Sequence, residues 1–342
     1  MAAFQWVDVL GPLTSGSDLT TEHAAAAMAD ILEGNATSAQ IAAFIVALRI
    51  KGETVEEMAG LVEAMQDACE PVTLDRLDGV IDTCGTGGDR SHSINVSTIA
   101  AFAVAGAGAK VCKHGNRAAS SSCGSADLLE GLGVALDVTP EGIARCVDEA
   151  GIAFCFAPRF HPAMRFAGPT RSELGIPTVF NVLGPLANPA RVRRQVVGVG
   201  DKRMAEKMAG VLRARGSERA LVVFGHDGLD ELTTTTTSTV VELGEDGELR
   251  RYELDPAAHG LKLAQPADLR GGDVGTNVEA TRAVLAGEPG PHRDIVVLNA
   301  AAGLMAAGLA GDIADGLSQA AKAIDDGRAQ HALDQLIEVS NR

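Results

Sequence analysis

Near residue 79 the spacing of apolar residues changes from a helical period to short apolar runs separated by helical stretches, and few architectures accommodate that change. Before it, "TTEHAAAAMADILEGN", "TSAQIAAFIVALRIKG" and "TVEEMAGLVEAMQDAC" read as helices joined by short turns. Thr37 or Ser38 caps the second, and Thr54 with Glu57 forms a capping box on the third. After it, "GVIDT", "AKVCK", "IAFCFA", "RQVVGVG" and "RALVVFG" read as strands, with "STIAAFAVAGAG", "SADLLEGLG", "TPEGIARCVDEAG" and "DKRMAEKMAGVLRARG" as helices between them. Strands alternating with helices form a mainly parallel sheet covered by helices. The predicted fold class is therefore α/β, a small all-helical domain followed by a large α/β domain. "STVVELGEDGELRRYEL" has the turn chemistry of a hairpin, and "RDIVVLNAAAGLMAAGLAG" and "DIADGLSQAAKAIDDG" read as C-terminal helices. The five threonines at 233–237 read as extended chain in β-prone residues.

A chain of 342 residues with 46% hydrophobic composition can bury a sizeable core. Its 29 Lys and Arg against 45 Asp and Glu leave a net charge of −16, which repels nucleic acid and anionic membranes and points to a small-molecule partner. The N-terminal segment has no basic stretch of the kind that opens a secretory signal, and no apolar run is long enough to span a bilayer, so a cytoplasmic protein is expected. The six cysteines contain no C-x-x-C pair, so neither a zinc site nor a disulfide framework is indicated.

The chemistry concentrates in loops that follow strands. In "DTCGTGGDRSHSINVST", residues 82–98, Asp82 ends a strand, Gly85, Gly87 and Gly88 follow, and Ser97-Thr98 caps the next helix. Glycine tolerates positive φ and lets an anion approach converging backbone N–H groups. There is no Walker A lysine, and Arg90 stands where a dinucleotide fingerprint needs its third glycine. The next strand runs into "KHGNRAASSSCGSAD", where Lys113 and Arg117 offer charge to phosphates and Ser120, Ser121 and Ser125 offer neutral donors. In an open parallel sheet the two loops meet in one crevice. Asp230 and Glu231 in "GHDGLDELTT" are hard oxygen donors suited to magnesium, or else solvated loop acids. In the 160–189 segment, Arg165 and Arg171 carry guanidinium forks that match a carboxylate, beside His161.

Together "GTGGD", "NVST", "KHGNRAASS", "GSADLLEGLG", "RSELGIPTVFNVLGPLANP" and "DGLDELT" resemble the anthranilate phosphoribosyltransferase family of tryptophan synthesis, in order and over nearly the whole chain. The resemblance implies a small helical domain of residues 1–76 with about 162–190, a large domain of 77–161 and 191–342, a homodimer through the helical domain, and Mg2+. It implies transfer of the 5-phosphoribosyl group of phosphoribosyl pyrophosphate to the amine of anthranilate, with pyrophosphate released and no covalent nucleophile.

By the same resemblance Gly85, Thr86, Gly87, Gly88 and Asp89 surround the pyrophosphate, and Ser93, Asn95, Ser97 and Thr98 hold the ribose and phosphate side. Lys113, His114, Gly115, Asn116, Arg117, Ala118, Ala119, Ser120, Ser121 and Ser125 complete the donor site. Gly85, His114, Asn116, His161 and Arg171 line the anthranilate path, and Ser97, Asp230 and Glu231 bind the metal. One departure is local: "RSHSI" follows the loop aspartate where many members carry Gly-x-x-Thr-Phe, which puts Ser93 in the threonine's place. A pyrimidine nucleoside phosphorylase of the same fold would lack the intact "KHGNR" and the acid pair. A non-catalytic nucleic-acid-binding relative would show a basic groove and eroded loops.

Overall fold

Threonine side chains start the first long helices. Thr20, Thr37 and Thr54 each accept the backbone N–H three residues on, from His23, Gln40 and Glu57, satisfying amides that a first turn leaves free. Thr37, rather than Ser38, is thus the cap. The elements are α1 (Val7–Thr14), α2 (Thr21–Leu32), α3 (Ser38–Lys51) and α4 (Val55–Asp67). Fully buried Glu57 completes its capping box and also accepts Leu19 N–H at 2.8 Å and Lys51 Nζ at 2.9 Å, which ties the chain before α2 and the end of α3 to the start of α4. The computed structural model describes residues 4–118 and 122–342, so Ala119, Ser120 and Ser121 lie outside the described residues.

The alternating region follows as β1 (Val80–Gly85), α5 (Val96–Gly106), β2 (Lys110–Gly115), α6 (Ser125–Leu132), α7 (Pro140–Arg145) and β3 (Ile152–Phe156). Three short helices, α8 (Ala157–Phe160), α9 (Gly168–Leu174) and α10 (Phe180–Leu183), precede β4 (Arg194–Gly198), α11 (Lys202–Ala214) and β5 (Arg219–Gly225). The hairpin is β6 (Ser238–Leu243) with β7 (Leu249–Leu254), and α12 (Val274–Leu285), α13 (Pro291–Ala307), α14 (Ile313–Asp325) and α15 (Arg328–Ser340) close the chain.

The sheet order is β3-β2-β1-β4-β5-β6-β7, parallel through β5 and antiparallel at the hairpin. Strand order reverses between β1 and β4, where loops leave the sheet in opposite directions and open a crevice. Gly85 pairs with Gly198 in the register of these two strands, so both end level on a residue without a side chain. Side chains alternate between two buried layers: on β5, Leu221 and Val223 join the layer of α5 and α13, while Ala220 and Val222 join that of α4 and α11. The second layer also holds Ala167, Phe180, Leu183 and Leu186, so the 160–189 segment packs with the N-terminal helices. All six cysteines are buried and none forms a disulfide.

Three local expectations are corrected. Asp82 lies inside β1, which runs on to Gly85. The cap position of α5 is Asn95, without a side-chain capping bond, and Ser97 and Thr98 belong to the first turn. The threonine run is bent at 234–236 rather than extended. Thr233 and Thr235 both donate to the Asp227 carboxylate, at 2.7 and 2.5 Å, and those bonds override β propensity.

Candidate active site

The glycine loop is shaped by what must pass close to it. Thr86 N–H donates to Gly198 O at 2.9 Å and Gly200 N–H to Thr86 Oγ1 at 3.1 Å, binding the loop to the end of β4. Gly87 and Gly88 sit at φ +66° and +80°, the left-handed region that favours glycine. A Cβ on Gly85 would stand 2.3 Å from Asp230 Oδ2, so the missing side chain is the room that the carboxylate occupies.

Asp230 and Glu231 come from the β5–β6 loop. Asp230 Oδ2 accepts Gly87 N–H at 2.7 Å, and Glu231 Oε1 accepts Ser97 N–H at 3.0 Å. Glu231 thereby caps α5 from a distant part of the chain, its carboxyl oxygen at the positive end of the helix. Glu231 is buried and Asp230 half-buried, so the pair is not the solvated acid cluster that the sequence left open. Burial pushes both carboxyls up, Asp230 to about 7 with help from the charge of Asp89, and Glu231 to about 8 with help from Asp230. Two hard oxygen donors whose charges are mutually destabilised form a donor set suited to a divalent cation.

Lys113 lies within β2 with its side chain buried, its ammonium donating to Thr83 O and lying 3.4 Å from Ser97 Oγ. Asp82 beside it is fully buried and accepts His114 N–H at 3.1 Å and Asn188 Nδ2 at 2.9 Å. Burial raises the Asp82 carboxyl, and the Lys113 charge opposes that rise. The carboxylate and Asn188, which also donates to Cys112 O at 2.8 Å, fix the end of β2. Sequence reasoning missed this pair, although an acid inside an apolar strand was the available signal.

The imidazoles of His114 and His161 stand 5.1 Å apart between centroids. His114 Nδ1 faces Gly184 O at 3.1 Å and His161 Nε2 faces Ala187 O at 2.9 Å, so each carbonyl sets its ring's tautomer. Nε2 of His114 is buried without a hydrogen-bond partner among the described residues. Burial drives His114 down to about 3 and lowers His161 too, so both rings are neutral. Arg171 on α9 is half-buried and packs its guanidinium 5.0 Å from the Phe180 ring, one turn of chain before Gly184. Among the described residues it has no ion-pair partner, and burial lowers its basicity.

Several expected residues are engaged elsewhere. Arg117 is bound at 2.8 Å to each of Asp127 and Glu130 and lies 5.5 Å from the Phe156 ring, so its charge is spent within α6. Asn95 gives Nδ2 to Cys123 O and takes Asn277 Nδ2 on Oδ1. Ser93 bridges in antiparallel fashion to Arg270, Thr98 is buried under the start of α5, and Asn116 O accepts Ala126 N–H and the Ser125 hydroxyl. Asp89 accepts Ser91 N–H, while Gly115 ends β2 and Ala118 lies between β2 and α6, where Asp127 holds Ala118 N–H at 3.0 Å.

Comparison with known proteins gives the chain's family. The helical bundle domain model of the glycosyl transferase family matches residues 7–69, and its a/b domain model matches residues 77–330. The chain is 52% identical over 335 residues to the anthranilate phosphoribosyltransferase of Roseiflexus castenholzii, covering 98% of each. It is 54% identical over 343 aligned positions to that of Salinispora arenicola, covering 98% of this chain and 97% of the relative. Its backbone matches the crystal structure of the Thermus thermophilus enzyme with a TM-score of 0.93 and 40% identity, over 98% and 100% of the two chains. It matches the Saccharomyces cerevisiae enzyme in complex with PRPP and Mg with a TM-score of 0.90 and 28% identity, over 98% of each. With both domain models matched in order, and identity above half across almost the full length, the chain belongs to the anthranilate phosphoribosyltransferases.

Proposed function

We propose that the crevice between β1 and β4 binds phosphoribosyl pyrophosphate with its pyrophosphate in the loop Gly85 to Asp89, and that anthranilate enters past His114, His161 and Arg171. The observation that carries this reading is the contact of the glycine loop with the acid pair, Gly87 N–H to Asp230 at 2.7 Å, at the edge where Lys113 also ends. The reaction joins the amine of anthranilate to the anomeric carbon of the donor, giving N-(5-phosphoribosyl)anthranilate and pyrophosphate. An aromatic amine is already nucleophilic, so the protein's part is alignment and stabilisation of the leaving group.

Asp230, Glu231 and Ser97 are the residues that would hold Mg2+, which when bound supplies positive charge to the departing pyrophosphate. Among the described residues no three His, Cys, Asp or Glu side chains form a complete metal cage, so the acid pair would share the ion with substrate oxygens. Lys113 adds a fixed positive charge on the same side. His114, neutral and donating from Nδ1, presents Nε2 as an acceptor for an amine N–H. Fluorescence of product formed by the purified protein from the two substrates tests the reading, and no product in either substrate's excess would refute it.

Two results are expected at this site. Phosphoribosyl pyrophosphate raises the melting temperature more with Mg2+ than with a chelator, mass action giving ~2.7 kcal/mol at a hundredfold excess over Kd. Equal shifts in the two conditions would remove the cation from the model. Arg171→Lys keeps the charge and loses the planar fork, so anthranilate use weakens by roughly ten- to a hundredfold, and by more in Arg171→Ala, a charge-assisted contact being worth ~1.5–3 kcal/mol. The donor's Kd stays within about threefold in both variants. If Arg171 only braces α9 against Phe180, the melting temperature falls and both substrates suffer alike.

The division into a small domain, residues 1–76 with about 162–190, and a large domain, 77–161 with 191–342, is supported by Ala167, Phe180, Leu183 and Leu186 joining the buried layer of the N-terminal helices. A homodimer through the helical domain is supported by Val7 and Ile50, 71% and 81% exposed on α1 and α3, which pack together. A cytoplasmic setting is supported by six buried cysteines that form no disulfide. No helix among the described residues is long and apolar enough to cross a membrane.

A further inference from the structure

Neither the threonine run nor α13 has a part in the chemistry above, yet both grip the loop that carries Asp230 and Glu231. Leu232 follows Glu231 directly and is fully buried. Its N–H donates to Asn299 Oδ1 at 2.9 Å, and its C=O accepts Asn299 Nδ2 at 2.8 Å. Asn299 is itself buried on α13 and anchored by a second Nδ2 bond, 2.9 Å to Ile295 O. It thus meets both backbone groups of Leu232 as a neighbouring strand would. A carboxamide donates and accepts in a single plane, so it can meet one residue's backbone N–H and C=O together. Without it, two buried backbone groups go unpaired.

The same loop is clasped around Asp227. Its carboxylate accepts Leu229 N–H at 3.2 Å and the hydroxyls of Thr233 and Thr235, and Thr233 N–H donates to Ser238 Oγ at 3.0 Å. Asp230 and Glu231 therefore sit between two fixed points, Leu229 and Leu232. The need for such a grip is electrostatic. Two neighbouring carboxylates, with Asp89 close to one of them, repel each other and gain hydration by swinging outward.

We propose that Asn299 is a positioning residue for the transfer reaction, and that with the Asp227–Thr233–Thr235 clasp it holds Asp230 and Glu231 aimed into the phosphate crevice. The proposal rests on the reading of Asp230 and Glu231 as the cation-binding pair. Asn299→Asp keeps shape and acceptor and replaces the donor facing Leu232 O and Ile295 O. Calorimetric titration with magnesium pyrophosphate then shows Kd raised by about tenfold or more, with turnover lowered and the anthranilate KM within about twofold of the parent. Thr235→Val, at a half-buried position, raises the same Kd by about threefold.

A purely structural asparagine would lower the melting temperature and leave that Kd unmoved in the folded protein, which overturns the proposal. If Asn299→Asp does not fold, Thr235→Val decides, and an unchanged Kd there overturns the clasp. Glu231→Gln separates the two layers of the argument. Unchanged magnesium pyrophosphate affinity in that variant refutes the cation-binding reading itself. Weakened affinity there, with parent affinity in Asn299→Asp, refutes only the positioning role.

Discussion

Replacing Asp230 and Glu231 together, by Asn and Gln, is expected to lower turnover by roughly a thousandfold at saturating substrates while the protein stays folded. The amides keep the shape that fills the space beside Gly85 and can still accept Gly87 and Ser97 N–H, so the contacts that shape the loop survive. What is lost is the charge that would hold a cation on the leaving group. Stability moves the other way as pH rises. The folded carboxyls lie at about 7 and about 8 against ordinary values of 3.8 and 4.5, burial being the larger cause and neighbouring carboxylates the next. A group raised on folding contributes stability that is fully present below its unfolded value and is lost as pH climbs through its folded value. The ligand-free parent therefore loses melting temperature between about pH 4 and pH 8, and the Asn–Gln variant lacks that part of the slope. Scanning calorimetry in a chelator, with turnover at limiting magnesium, checks both halves. Near-normal turnover would reduce the pair to an ordinary acid cluster.

The strands, the hairpin and the order of the loops could be read directly, because apolar period and turn chemistry are local properties. What stayed hidden came from contacts between distant parts of the chain. Ser97 looked like a helix cap since Ser and Thr favour that position, but the group that meets its N–H is Glu231 from the β5–β6 loop, and nothing near residue 97 announces it. The threonine run followed its propensity only on paper, because Asp227, a few residues upstream, takes two of its hydroxyls. Arg117 was expected to offer charge to phosphates, and in this structure it pairs with Asp127 and Glu130 on the next helix. Their closeness in sequence was a signal that could have been used. Asp82 follows apolar Val80 and Ile81, and Asn299 is the polar residue of the otherwise apolar run 295–307. That pattern is the sequence mark of a buried hydrogen-bonding duty, and both perform one. α12 and α15 were not foreseen, although both pack against the elements around α5.

Gly198→Ala is expected to be the most damaging single-methyl change near the crevice. The added Cβ would fall 1.6 Å from Asp230 O and 2.5 Å from its carbonyl carbon, both backbone atoms. Gly198 does not have a positive φ, so alanine is permitted there by its own backbone and the penalty is purely one of space. Relief requires the β5–β6 loop to retreat by about 2 Å, and a shift of about 1 Å in a positioned group can cost about a hundredfold in rate. Because Asn299 and the Asp227 clasp hold that loop from behind, the retreat also strains buried contacts, at a cost of about 1–3 kcal/mol in stability. Gly85→Ala is the graded comparison. Its Cβ would meet Asp230 Oδ2 at 2.3 Å, the far end of a side chain that can rotate, so stability suffers less while the carboxylate is turned from the glycine loop. Gly311→Ala, where an added Cβ meets nothing within 4 Å, serves as the neutral control. Turnover and melting temperature measured on the three variants give the ranking. A Gly198→Ala protein with parent values of both would mean that the close approach of Asp230 to the end of β4 does not set the geometry of the reaction.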